Sequence, residues 1–108
     1  MIELADNDKV FTPTHSIEYA AKSVVSKTII KKPSGNVTLF SFDKGEGLAE
    51  HSSPHEVMVQ ILDGHAEITI GGKLNNLHAG QCILLPSNIP HALKAKERFK
   101  MMLTMIKS

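Results

Sequence analysis

From Val24 onward, short β-prone runs alternate with turn residues at intervals of roughly 8–12 positions, the spacing of an all-β sandwich or barrel. Val24–Ile30 is rich in β-branched residues and ends at Lys31-Lys32-Pro33-Ser34-Gly35. Asn36–Phe42 alternates, with Val37, Leu39 and Ser41 on one face and Thr38, Phe40 and Phe42 on the other. Asp43–Gly47 reads as a loop, and His51–His55 as a loop entering a strand. Asp63-Gly64 is a tight-turn signal between the predicted strands Val57–Leu62 and His65–Ile70. Gly71-Gly72 repeats that signal before Lys73–Leu77. Ala79-Gly80 leads into Cys82–Leu85, Pro86–Pro90 is a loop, and His91–Lys94 and Phe99–Ile106 complete the pattern. Two hairpins in succession describe a meander, which argues against a parallel α/β fold. About nine strands must close or pair into two sheets, because otherwise too many edges stay open. The expectation is a barrel-like sandwich over residues 22–108, preceded by a polar arm, residues 1–21. Within the arm, Ser16–Ala21 forms either a short helical turn or irregular structure.

Composition narrows the function classes. The chain has 108 residues, 42% hydrophobic and 21% charged, which is one ordinary globular domain. A formal charge of +1 gives no reason to expect a nucleic-acid or anionic-membrane partner. No apolar run approaches the ~20 residues of a membrane span. Tryptophan is absent and Tyr19 is the single tyrosine, so stacking platforms for nucleic acid are not expected. Cys82 is the single cysteine, which excludes an intrachain disulfide and points to a reducing compartment. The opening MIELADNDKV is acidic and polar, unlike a signal or transit peptide, so a cytoplasmic protein is expected.

Candidate chemistry rests on the six histidines. His51 and His55 share a face if the strand is regular, although Pro54 can distort it. His91 follows Pro90 at a strand start and can converge on them across a closed β-domain. Three imidazoles in a cavity suit Zn, Ni, Cu, Mn or Fe. Spacing alone favours three separate hydrogen-bonded or exposed histidines. His65 has outward parity beside Ala66, Ile68 and Ile70, while His78 lies in a turn. Cys82 opens an apolar strand and reads as a buried, inert thiol. Gly45, Gly64 and Gly80 lack the strand–loop–helix context of a phosphate loop.

The chain resembles a small single-domain cupin. Gly45 is followed after five residues by His51, Gly64 fits the closing glycine of the first motif, and Gly80, Pro86 and His91 stand at the intervals of the second. The resemblance implies a conical jelly-roll barrel of two antiparallel sheets. It also implies a metal site, but the first motif's second histidine falls on Ser53 and its glutamate on Val57. The second motif's inner glycine falls on Asn88 and its terminal asparagine on Ala95. Only His51 and His91 carry over as ligands by position. His55 shares the parity of Ser53 and Val57 and would complete a His51, His55, His91 set binding a divalent transition metal. The expected pocket wall is Val57, Val59, Gln60, Ile61 and Leu84 with Leu85, Gln60 being a weak polar candidate of outward parity.

Two functions are therefore expected to compete: a metal-dependent enzyme acting on a small polar molecule, of oxygenase or isomerase type, and a metal-free module that binds one small ligand. Apolar residues on both parities of Phe40–Phe42 and Met58–Ile61 suggest sheet faces covered twice, which predicts a homodimer.

Overall fold

The computed structural model describes residues 9–107. Eight strands are present among them: β1 Val24–Lys32, β2 Gly35–Phe42, β3 Gly47–His51, β4 Glu56–Ile70, β5 Lys73–His78, β6 Cys82–Leu85, β7 His91–Lys94 and β8 Phe99–Ile106. All pairings are antiparallel, in the order β1-β2-β8-β4-β7-β3, and β5 and β6 also pair with β4. The strand at Gly47–His51 fills the interval that the sequence pattern left unassigned between two loops.

β4 departs most from the pattern read in the sequence. Asp63-Gly64 does not close a hairpin; the strand runs through it for 15 residues. Its first half pairs with β8 and β6, and its second half with β5 and β7. The register shifts between Ile61 and Asp63. That irregularity switches the buried parity from Val57, Val59 and Ile61 to Ala66 and Ile68. Gly64 has a φ of 79°, and a Cβ there would run into the backbone oxygen of Arg98. The glycine thus permits a bend with close strand contact, not a chain reversal. Gly71-Gly72 does form the expected two-residue turn, with φ values of 54° and 83°. Ile70 pairs directly with Lys73 across it.

Between the two halves lies a core built from inward residues of both. Phe42 and Phe99 stack at 4.5 Å, and Leu85, Leu93 and Met101 join them. The described part of the arm packs on the outer face of β2 and β8. A 3₁₀ turn at Pro13–His15 leads to Ile17, which is buried. Lys100 Nζ donates to Thr14 O at 2.6 Å, and Ser41 Oγ donates to Glu18 O at 2.8 Å. Tyr19 Oη donates to Asp63 Oδ2 at 2.5 Å, with Arg98 and Lys100 over its ring. Leu39 and Ser41, the second apolar parity of β2, are therefore covered within one chain. No helix among the described residues is long and apolar enough to cross a membrane.

Candidate functional site

His91 begins β7, and the preceding loop fixes where it begins. Asn88 N–H donates to Ser53 O at 2.6 Å, and Gly71 N–H donates to Pro90 O at 2.8 Å. Asn88 adopts φ 65°, a left-handed conformation that asparagine tolerates and glycine would also satisfy. The loop is thus held between the β3–β4 connection and the β4–β5 turn. Across from it, β3 has a register shift between Leu48 and His51, and His51 faces His91 directly. The two rings lie 4.5 Å apart at 69°. His91 is 4% exposed, whereas His51 is exposed.

The ring tautomers follow from hydrogen bonding. His91 Nδ1 lies 3.1 Å from Ile89 O, and His51 Nδ1 lies 2.9 Å from Ala49 O. A carbonyl oxygen only accepts, so each Nδ1 carries the proton. In the neutral rings both Nε2 atoms are then free lone pairs. No buried side-chain nitrogen or oxygen among the described residues lacks a partner. With no described side-chain bond to its Nε2, that atom of His91 keeps a small solvent contact.

The expected third imidazole does not join the pair. Among the described residues, no three His, Cys, Asp or Glu side chains come together to hold a metal ion. His55 is half-buried, and its backbone N–H donates to Ser53 Oγ at 3.2 Å. Ser53, standing where the first motif has its second histidine, thus shapes the turn before β4. Val57, in the glutamate position, is 5% exposed and belongs to the apolar core. Catalytic metal sites are typically held by three protein ligands. The donors brought together here among the described residues are two imidazoles, and they do not fit a resident catalytic metal.

The wall also differs from expectation. Val59 and Ile61 are fully buried and fill the core, so they line no open space. Leu84 is 64% exposed and turned outward, because it alternates with the buried Leu85. Gln60 sits on that same outer face, opposite Cys82 and Met102. Cys82 shares its parity and is exposed, correcting the expected buried thiol. Sequence reading missed Ile70, which pairs with His91 and packs against the core. It also missed inward Asn75, whose amide donates to Ile68 O at 3.2 Å. The alternation of β5 carries that signal, since Leu77 is buried two positions on. Remote from the pair, His65 and His78 stack on each other at 4.5 Å, and His65 Nε2 lies 3.0 Å from Asn76 Oδ1.

Comparison with known proteins agrees with this architecture. The cupin domain profile matches residues 38–107, and the chain belongs to that family. A conserved protein of unknown function from Streptococcus pyogenes is 40% identical, with a TM-score of 0.88 over 93% of this chain and 88% of that one. A cupin 2 conserved barrel domain protein from Leptotrichia buccalis is 39% identical with a TM-score of 0.84. The match covers 87% of this chain, which spans about half (46%) of that longer one. A cupin superfamily protein from Desulfitobacterium hafniense is 28% identical with a TM-score of 0.82, over 85% and 84% of the two chains. No curated protein is similar enough to match.

Proposed function

We propose that this cupin is a small-molecule-binding module whose ligand is received by the His51–His91 pair without a resident metal. One observation carries the reading: both Nδ1 atoms are committed to backbone carbonyls, which leaves the Nε2 lone pairs of two neighbouring rings with no third ligand beside them among the described residues. Such a pair accepts hydrogen bonds from a hydroxyl or N–H of a ligand. Apolar Ile70 lies directly opposite His91 across β4 and β7 and favours a ligand with a small apolar body.

A metal-dependent enzyme of oxygenase or isomerase type is the second reading. Anchoring of Nδ1 on a carbonyl, which orients Nε2 of metal-ligating histidines, is the observation in its favour. A single cysteine, unable to form an internal disulfide, supports residence in the cytoplasm.

The test combines metal analysis with a thermal-shift screen of small acids, sugars and phenols. The untagged protein from metal-replete medium is expected to carry no stoichiometric transition metal. One ligand class is expected to raise its melting temperature, and His91→Ala is expected to abolish that rise. Stoichiometric metal that disappears in His51→Ala and His91→Ala would instead establish the second reading.

A further inference from the structure

His65 and His78 form a second imidazole pair, separate from His51 and His91. They stand directly opposite each other on β4 and β5. Both project from the outer face, because their chain neighbours Ala66 and Leu77 are buried. Their rings stack at 4.5 Å with 17° between the planes. The backbone beneath them is fixed at both ends. Gly71-Gly72 closes the β4–β5 hairpin at one end. At the other, His78 N–H donates to Gln81 Oε1 at 2.9 Å, and Gly80 N–H donates to Ile61 O at 2.8 Å. Side chains carried on rigid, paired strands are held ready for a ligand before it arrives.

His65 also has a partner for one of its nitrogens. Its Nε2 lies 3.0 Å from Asn76 Oδ1. An amide oxygen only accepts, so Nε2 carries the proton and Nδ1 of the neutral ring is a lone pair. An imidazole that donates one N–H to an oxygen and keeps the other nitrogen free has the arrangement of a supported metal ligand. Stacked rings direct their lone pairs side by side, not at one point. The histidine χ2 torsion is broad, so a rotation of each ring makes them converge. His65 is half-buried and His78 exposed, so water can fill whatever positions on an ion the protein does not.

We propose that His65 and His78 clip one Cu(II) ion across β4 and β5, with Asn76 as a positioning residue and water as the remaining ligands. Imidazole suits copper, nickel and zinc, and affinity for divalent ions peaks at Cu(II), whose tetragonal geometry accepts two nitrogens with oxygen donors. Structural zinc sites are closed by four ligands, which two histidines do not supply. Glu67, two positions along β4 on the same face, is paired with Lys96 at 3.5 Å and is left out of the ligand set. The His51–His91 pair differs in that His91 is 4% exposed, which leaves little space for completing waters. The copper clip is independent of the proposed ligand site.

Titration with copper sulfate, read by electron paramagnetic resonance with nitrogen modulation, tests the proposal. It is run in the His51→Ala/His91→Ala background, so that the other pair contributes nothing. One equivalent of Cu(II) is expected to bind with two imidazole nitrogens, and the melting temperature is expected to rise with copper concentration. His65→Ala and His78→Ala each leave one imidazole on the ion and raise the dissociation constant at least ~10-fold. Asn76→Ala keeps both imidazoles but weakens binding by up to ~10-fold, and Asn76→Asp, which retains the acceptor, restores it. His15→Ala, on the arm, changes nothing. Circular dichroism confirms that each variant is folded, and the same series in the wild type serves if the double background is not. A wild-type dissociation constant in both His65→Ala and His78→Ala overturns the proposal. So does a one-imidazole signal at saturation, or no copper bound at micromolar concentrations.

Discussion

At the scale of single residues, small side chains hold the conformations that place the histidines. Ser53 uses its hydroxyl to stabilise a turn, and its carbonyl accepts from Asn88. Both contacts bear on the segments that deliver His51 and His91. Gly64 is the most constrained of these positions, with a positive φ and backbone where a Cβ would be. Gly64→Ala is expected to destabilise the fold by about 1–3 kcal/mol, from strain added to a close contact. A urea melt measures this; an unchanged midpoint would show that β4 bends without the glycine. His51 and His91 were legible through the two motifs that the chain shares with cupins, and the structure places those two side by side. The fate of His55 depended on how Ser53-Pro54 turns the chain, which is local geometry that spacing does not encode.

At the scale of elements, strand positions were largely readable because alternation and turn residues agree along most of the chain. β4 was not, and the reason is physical. Asp63-Gly64 satisfies the local chemistry of a hairpin, but tertiary pairing with β8, β6, β5 and β7 keeps the strand going. Its one legible trace is the change of apolar parity after Ile61. The arm was unreadable for the opposite reason: its order comes from contacts with distant residues, not from any period of its own. Those contacts predict an alkaline response. Burial raises the Tyr19 pKa above its ordinary value of 10.0, helped by the hydrogen bond to Asp63 and that carboxylate's charge. A raised folded pKa means the protonated phenol favours the folded state. This stability is complete below pH 10, the unfolded value, and is lost as pH rises through the higher folded value. Melting temperature is therefore expected to fall above pH 10 in the wild type. Tyr19→Phe should start less stable but show a shallower alkaline decline. Parallel declines would remove Tyr19 from this role. On the acid side, backbone N–H groups of Lys22 and Lys44 lower the pKa of half-buried Asp43, so its contribution is lost as pH falls through the folded value.

At the scale of the molecule, sequential order and spatial order disagree. β8 is read last among the strands yet lies between β2 and β4, in the middle of its sheet. It supplies Phe99 and Met101 to the core. A chain ending at Glu97 is therefore expected to lack a cooperative melting transition, because β2 and β4 would lose their shared neighbour. Calorimetry checks this, and a sharp transition in the shortened chain would contradict it. On the ribosome, the same layout delays consolidation. Until Phe99–Ile106 emerges, the growing polypeptide holds two unsatisfied strand edges apart around an unfilled gap. Chaperones that shield extended segments should engage this nascent chain during that interval and release it once the final strand slots in.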